Sequence, residues 1–142
     1  MQEKHIVEKL HQSYPFVDII FGTHTLHKLP QNIYEILEKR KKIEDVIDID
    51  GEIYEGLPIK RNDNTKASVT IMYGCNNFCT YCIVPYVRGR ERSRKPSDIL
   101  EEVQSLAKNG YKEITLLGQN VNSYDGGNGY RFSDLLRDVN KI

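Results

Sequence analysis

The three cysteines of this chain all fall within one eight-residue window. They are Cys75, Cys79 and Cys82, with the spacing C-x3-C-x2-C. Three thiolates on one short loop can each bond one iron of a four-iron cubane, which leaves the fourth iron without a protein ligand. The spacing therefore predicts a [4Fe-4S] cluster with one open coordination position.

S-adenosylmethionine (SAM) suits that open iron, because its methionyl amino and carboxylate groups can chelate a metal. An electron from the reduced cluster can then break the bond from the sulfonium sulfur to the 5′ carbon, giving a radical that abstracts an unactivated hydrogen. Phe78 and Tyr81 lie between the ligands. They could shield the cluster from water or pack on the adenine, and the sequence does not distinguish the two roles.

Structural zinc is the alternative use of three thiols. Zinc usually takes four protein ligands in a closed site. The chain has no fourth cysteine, and its four histidines all lie at or before position 27. A Cys3His site would need the fold to bring His24 or His27 to the loop. The competing hypothesis is a noncatalytic, zinc-stabilised RNA-binding module.

Charge balance, apolar runs and the number of cysteines argue against several classes of protein. The 142 residues contain 20 Lys and Arg against 20 Asp and Glu, so nucleic-acid binding would need a local basic patch. No apolar run approaches the roughly 20 residues that cross a bilayer, and the N-terminus lacks the apolar stretch of a signal peptide. An odd number of cysteines argues against a disulfide framework. We expect a cytoplasmic protein without membrane association.

The second half of the chain alternates strands and helices around the cysteines. A strand predicted at 67–72 leads directly into the cysteine loop, and a strand predicted at 113–117 follows a helix that begins near Pro96. A last helix begins near Phe132. This order predicts an α/β fold that opens a parallel βαβα layer or barrel, with its active site in the loops after the strands.

The first half predicts a helix, a strand at 16–21, a turn at 22–24 and a second helix that ends in the basic run 39–42. Asp50-Gly51 between β-branched stretches predicts a hairpin. We expect three segments: the end of an α/β domain at 1–42, a linker with a hairpin at 43–66, and the start of a second domain at 67–142.

Five segments resemble the methylthiotransferase family of radical SAM enzymes. Residues 72–86 surround the cysteines, residues 88–94 follow them, and residues 116–124 read Leu-Leu-Gly-Gln-Asn-Val-Asn-Ser-Tyr. Upstream, residues 16–18 and 21–23 are similar to the end of that family's N-terminal domain. The resemblance is closest to the members that act on tRNA, and it covers nearly the whole chain.

The resemblance implies an enzyme that converts N6-dimethylallyladenosine beside the anticodon of tRNA to its 2-methylthio form. It implies SAM, the [4Fe-4S] cluster, an electron donor and the tRNA anticodon stem-loop as partners. Sister enzymes act on threonylcarbamoyladenosine or on a ribosomal protein. The family also carries an auxiliary [4Fe-4S] cluster whose three cysteines this chain lacks. We therefore expect an internal fragment: an N-terminal domain tail, then the opening of a partial TIM barrel, unable to complete turnover alone.

Further residues are candidates for binding. Arg88, Arg90, Arg92 and Arg94 alternate and, if extended, would project to one side, either towards tRNA phosphates and the SAM carboxylate or as a solvated edge. Arg88 and Arg94 match the family's Arg-Gly and Ser-Arg pairs. Gln119 follows the second barrel strand, where radical SAM enzymes hold the amino group of SAM.

Three other features give weaker indications of function. His24 and His27 flank a helix start, where packing is more typical than catalysis. The basic run 39–42 could touch RNA, but a solvated helix end explains it through the helix dipole. The glycine-rich loop 126–129 lacks the lysine of a phosphate-binding motif.

Overall fold

The computed structural model describes residues 4–46, 53–56, 59–61 and 63–142, apart from the side chains of residues 4, 5, 23 and 24. The fold is mixed α/β, as predicted. The chain divides into two compact units, Met1–Leu57 and Pro58–Ile142.

No helix in the described part of the chain is long and apolar enough to cross a membrane.

The first unit contains two helices, a 3-10 helix and a two-stranded parallel sheet. Its elements are α1 (Lys4–Ser13), β1 (Ile19–Phe21), the 3-10 helix Thr23–Lys28, α2 (Leu29–Lys39) and β2 (Ile43–Asp45). Strand β1 pairs with β2 in parallel, with Ile19 opposite Ile43. The helical segment between them makes the crossover that parallel strands require.

Buried polar side chains connect the end of β2 to the helical segment that precedes it. The Thr25 hydroxyl donates to the carbonyl of Asp45 at 2.7 Å, and the Asn32 amide donates to the Asp45 carboxylate at 3.1 Å. Thr25 and Asn32 are both buried. Since a buried polar group without a partner destabilises the fold, these bonds allow the two residues to lie inside.

The second unit carries the cysteines. Its elements are β3 (Lys66–Thr70), β4 (Met72–Tyr73), α3 (Val84–Arg88), β5 (Arg92–Ser93), α4 (Pro96–Lys108), β6 (Glu113–Leu117) and α5 (Phe132–Val139). Strand β3 pairs with β6 in parallel, and β4 pairs with β5 in antiparallel fashion. In the parallel pair Thr70 lies opposite Leu117, so both strands end at the same edge.

The core of the second unit lies between β3 and the apolar face of α4. Alternate residues of the strand, Ala67 and Val69, are buried. Helix α4 contributes Ile99, Val103 and Leu106, whose spacing of three and four residues places them on one face. Complete burial of side chains of this size contributes roughly 1.5–3 kcal/mol each, so this contact fixes the helix on the sheet.

Ile71 is the point where the strand changes partners. Its N–H donates to the carbonyl of Leu117 on the parallel side at 2.8 Å, and its own carbonyl accepts the N–H of Arg94 at 2.9 Å. The sequence predicts one strand over 67–72; the structure divides it into β3 and β4 because the second segment pairs with β5 instead of β6.

A group of three charged side chains supports this point. Arg94 Nη1 donates to the Thr70 carbonyl at 2.6 Å and to Glu102 Oε2 at 2.8 Å, and Arg61 Nη2 lies 2.7 Å from Glu102 Oε1. Their side chains are 8% (Arg94), 17% (Arg61) and 20% (Glu102) exposed. One carboxylate of α4 therefore holds two largely buried guanidinium groups beside the end of β3.

Tyr124 also contacts this region, through the backbone of Arg94. Its ring is fully buried, and its hydroxyl donates to the Arg94 carbonyl at 2.8 Å. Burial raises the pKa of Tyr124 to about 12. The hydroxyl therefore keeps its proton, and with it this hydrogen bond, at any ordinary pH.

The structure confirms the predicted helices near residues 6–10, 29–37, 96–106 and 132, and the strand at 113–117. Besides the division of the strand at 67–72, other features differ. Residues 43–45, which we assigned to the linker, pair with β1. The predicted turn at 22–24 continues into a 3-10 helix. The four arginines would project to one side only on an extended chain, and this condition is not met because Arg88 ends helix α3. The hairpin at Asp50-Gly51 lies outside the described residues.

Replacing Glu102 by alanine tests the charged group. The change leaves two largely buried guanidinium groups without this carboxylate, and we expect the free energy of unfolding to fall by about 3 kcal/mol. The measurement is a urea titration of the chain followed by circular dichroism. Glu101→Ala is the matched control, since Glu101 is an exposed residue of the same helix. Equal transition midpoints for the two variants would contradict the assignment.

Candidate metal centre

The cysteine loop occupies residues 74–91, between β4 and β5. These two strands pair antiparallel, with Tyr73 opposite Arg92, so the loop leaves and re-enters the fold at one neck. The loop follows β3 at the edge where β6 also ends. In parallel α/β folds, loops at the carboxyl ends of the strands form the active site.

Gly74 opens the loop in a conformation that other residues rarely adopt. Its φ is +73°, and a Cβ added there would lie 2.0 Å from the carbonyl oxygen of Arg90 across the neck. The next residue, Cys75, donates its N–H to the Gly89 carbonyl at 3.2 Å. Only glycine therefore permits this close approach of the two sides of the loop.

A reciprocal pair of hydrogen bonds joins the two ends of the loop beyond the glycine. The Asn76 N–H donates to Glu91 Oε1 at 3.2 Å, and the Glu91 N–H donates to Asn76 Oδ1 at 3.1 Å. The side-chain amide of Asn120, in the segment after β6, lies 3.5 Å from the same Glu91 oxygen.

The three thiols differ in their surroundings. Cys75 is buried, Cys82 is partly exposed and Cys79 is exposed, and none is in a disulfide. The N–H of Asn77 donates to the sulfur of Cys75 at 3.4 Å, and the N–H of Cys82 donates to the carbonyl of Cys79 at 2.9 Å. A turn thus joins the second and third cysteines, while the first is anchored at the neck.

Three free thiols on one loop match the number of protein ligands that a cubane with one open iron takes. Among the described residues, no group of three or more His, Cys, Asp or Glu side chains is arranged to hold one metal ion. Thiolates on a single zinc all lie about 2.3 Å from it, whereas in a cubane each thiolate bonds its own iron. The three thiols lie on one loop, and the sulfur of Cys75 accepts the backbone N–H of Asn77. Hydrogen bonds of this kind also set the reduction potential of iron–sulfur clusters.

Aromatic side chains project from the same loop. The rings of Phe78 and Tyr86 meet edge to face, with centroids 5.8 Å apart. Both rings are largely exposed, and Tyr81 is 94% exposed. Their predicted roles, shielding the cluster or packing on an adenine, therefore remain predictions.

The segment after β6 approaches the cysteine loop. A Cβ on Gly118 would lie 2.5 Å from the Cγ of Met72, so glycine lets this segment pack against the residue pair that leads into the loop. Gln119 follows and is exposed. The structure thus brings the segment of Gln119 to the edge where the cysteines lie.

The two candidate arginines have different environments. Arg88 is exposed at the end of α3, and its carbonyl accepts a hydrogen bond from Arg92 Nη2 at 3.2 Å. Arg94 is buried and holds Glu102 and the end of β3. The structure therefore does not place these two residues side by side on one surface strand.

The weaker candidates take structural positions. The His27 ring stacks on Tyr54 in the first unit, with centroids 3.6 Å apart, and the side chain of His24 lies outside the described residues. In the basic run, Arg40 caps α2 with a φ of +48°, and Lys42 donates to the Pro15 carbonyl. In the glycine-rich loop, Gly126 and Tyr130 close a tight turn through a 2.9 Å backbone bond.

The sequence did not identify three residues that shape the region around the cysteine loop: Gly74, Glu91 and Glu102. Glu91 stands within a run of alternating arginines, and Glu102 on a charged helix face, so neither is distinguished by its neighbours. The one available signal was the Gly-Cys pair at 74–75, because a glycine directly before a ligand can mark a tight turn.

Comparison with known proteins places the second unit in a family. The model of the Radical SAM superfamily matches residues 69–141. Among curated proteins, the chain is similar to tRNA-2-methylthio-N(6)-dimethylallyladenosine synthase of Acetivibrio thermocellus, at 58% identity over 100% of this chain and 30% of the relative. The proteins of the same name from Clostridioides difficile and Desulforamulus reducens are 58% and 55% identical, over 100% and 99% of this chain.

The chain spans less than a third of the length of these relatives, 30% or 31% in each case. The family model covers more than half of the chain and includes all three cysteines, the neck of their loop, the end of β3 and the whole of β6. The chain belongs to the radical SAM superfamily.

Proposed function

We propose that Cys75, Cys79 and Cys82 hold a [4Fe-4S] cluster that binds SAM at its open iron. The observation that carries the proposal is the position of the three thiols on the loop after a parallel strand, within the region matched by the superfamily model. When bound, the cluster would supply the electron that cleaves SAM. The chain's own contribution is to anchor Cys75 at the neck and to present Cys79 and Cys82 on an exposed turn.

We further propose that the chain is part of a tRNA methylthiotransferase. Relatives at 54–58% identity over the whole chain are named tRNA-2-methylthio-N(6)-dimethylallyladenosine synthases, which supports N6-dimethylallyladenosine in tRNA as the substrate. The target base must be exposed from its stack to meet a radical formed at the cysteine loop. The exposed aromatic rings of Phe78, Tyr81 and Tyr86 offer surface for a planar ring there.

The same proposal extends to the domain organisation of the chain. Residues 67–142 would open a partial TIM barrel, supported by the order β3, α4, β6, α5 and the parallel pairing of the two strands. Residues 1–42, with the paired strand β2, would end an N-terminal methylthiotransferase domain, and the residues between β2 and β3 would link the two. The auxiliary cluster of the family would take its ligands from elsewhere in the full-length protein. A separate electron donor would reduce the cluster at Cys75, Cys79 and Cys82.

Gln119 and Arg88 remain proposed contacts to SAM or tRNA. Both are exposed, and Gln119 follows the strand that ends beside the cysteine loop. Arg94 stays a prediction of the same kind, but its contacts with Thr70 and Glu102 support a role in holding the end of β3.

Anaerobic reconstitution with iron and sulfide tests the cluster. We expect the chain to take up about four irons and four sulfides and to turn brown, since three thiolates suffice for a cubane. Changing all three cysteines to alanine should abolish the colour, whereas Thr80→Ala, within the same loop, should retain it. Colour that survives the triple change, or stoichiometric zinc with no iron uptake, would defeat the proposal and favour a structural metal.

Mass spectrometry of tRNA tests the substrate. Cells in which the gene for the full-length protein is deleted should lose 2-methylthio-N6-dimethylallyladenosine and accumulate N6-dimethylallyladenosine, because the latter is the proposed substrate. Restoring the gene should reverse both changes. Loss of the methylthio form of threonylcarbamoyladenosine instead would assign the chain to a sister enzyme.

Gly74→Ala tests the neck of the loop. The new methyl group would overlap the Arg90 carbonyl at 2.0 Å, so we expect the neck to open and iron content after reconstitution to fall by more than half. Gly127→Ala is the matched control: its φ is +85°, so it carries a similar backbone strain of about 1 kcal/mol, but a Cβ there meets nothing within 4 Å. Equal iron content in the two variants would show that the close approach at Gly74 is unimportant.

A further inference from the structure

Glu91 lies at the exit of the cysteine loop, and its side chain contacts the entrance. Glu91 Oε1 accepts the N–H of Asn76, the residue after the first cysteine, at 3.2 Å. In return, Asn76 Oδ1 accepts the N–H of Glu91 at 3.1 Å. The two residues are therefore joined by two hydrogen bonds, each between a side chain and a backbone group.

These bonds begin where the strand ladder stops. The antiparallel pairing of β4 and β5 matches Met72 with Ser93 and Tyr73 with Arg92, so the next pair in register would be Gly74 with Glu91. The left-handed conformation of Gly74 turns the chain away at that point. The side chains of Asn76 and Glu91 then satisfy each other's backbone donors, which an ordinary ladder would otherwise pair.

The backbone held in this way carries the first cysteine. Cys75 lies between Gly74 and Asn76, and its N–H donates to the Gly89 carbonyl at 3.2 Å. The following Asn77 N–H donates to the Cys75 sulfur at 3.4 Å. A shift of Asn76 would therefore move both the sulfur and the N–H that points at it. Glu91 contributes a carboxylate acceptor to this chain of contacts, and a carboxylate makes a stronger hydrogen bond than a neutral acceptor of the same geometry.

We infer that Glu91 is a positioning residue, which fixes the Cys75 sulfur for metal binding by closing the neck of the cysteine loop. The inference rests on the proposed cluster at Cys75, Cys79 and Cys82. Glu91 also lies 3.5 Å from the Asn120 amide, at the long end of the hydrogen-bond range, so the same carboxylate reaches the segment that follows Gln119. One side chain thus connects the cysteine loop to the loop after the neighbouring parallel strand.

Two substitutions separate the geometry of Glu91 from its charge. Glu91→Ala removes the acceptor, and Glu91→Gln keeps a side-chain oxygen of the same reach but removes the charge. After anaerobic reconstitution, we expect Glu91→Ala to release iron to a chelator about tenfold faster than the unchanged chain. This factor corresponds to the loss of one charge-assisted hydrogen bond at the low end of its usual energy range. Glu91→Gln should fall between the two.

Exposed Glu101 supplies the controls, Glu101→Ala and Glu101→Gln, which make the same chemical changes on helix α4. Both should release iron at the rate of the unchanged chain. Circular dichroism should show equal helix content in all five proteins. Release from Glu91→Ala and Glu91→Gln at the control rate would overturn the inference.

The reduction potential of the cluster gives a readout that general loosening of the fold would not produce. Removing a negative charge beside a ligand favours addition of an electron, so Glu91→Gln should shift the midpoint potential to more positive values, while Glu101→Gln should leave it unchanged. No shift in Glu91→Gln relative to Glu101→Gln would count against a place for Glu91 beside the cluster.

The two proposals fail in different ways. If the unchanged chain binds no iron and sulfide, the proposed cluster itself is wrong. If the unchanged chain binds a full cluster and the Glu91 variants match the Glu101 variants in release rate and potential, only the role of Glu91 is wrong.

Discussion

The parallel pairing of β3 with β6 is the constraint on which the rest of the second unit depends. Because Thr70 lies opposite Leu117, the two strands end together, and the loops that follow them must share one edge. The cysteine loop follows one strand, and Gly118, Gln119 and Asn120 follow the other. The apolar face of α4 covers β3 and leaves this edge to the polar residues and the three cysteines. The proposed site and the apolar core therefore occupy different parts of the same sheet.

The strand that precedes the cysteines changes partners within one residue, and this change needs support. At Ile71 the backbone bonds to the parallel strand on one side and to Arg94 on the other. Arg94, Glu102 and Arg61 supply charged hydrogen bonds at this point, and the Tyr124 hydroxyl adds a neutral one. Burying charges is unfavourable unless they are paired and hydrogen-bonded, which explains why the three side chains occur together. Their position directly before the neck means that they also hold the entrance of the cysteine loop.

Local patterns in the sequence predicted most of the helices and strands. The strand at 113–117 and the helix from Pro96 were both evident, since an alternating run and a proline at the first helical turn are read without knowledge of the fold. Helix α3 was not evident, because five residues with Pro85 near the start show no helical repeat. The partner of residues 43–45 was missed for another reason: parallel pairing joins residues that are far apart in sequence.

The site was predictable to the same extent. The spacing of the three cysteines predicted a shared metal centre, which stays a prediction, and the residues at 67–72 indicated the strand before it. Glu91 was not identifiable, since its importance comes from a contact with Asn76, 15 residues away, across the neck. Arg94 was expected at the surface with its neighbours, but Glu102 makes its burial favourable. A charge pattern does not show which charges will meet a partner inside the fold.

The unequal exposure of the three thiols bears on the kind of metal site that the loop supports. A structural zinc site is closed, with four ligands that surround the ion. Here Cys75 is buried and fixed by backbone hydrogen bonds, whereas Cys79 is exposed on a turn with Cys82, beside the exposed ring of Tyr81. One side of the site is thus anchored in the fold and the other faces outward. This arrangement agrees with the proposed cluster, because a small molecule and a large substrate could reach it without the loop leaving the sheet.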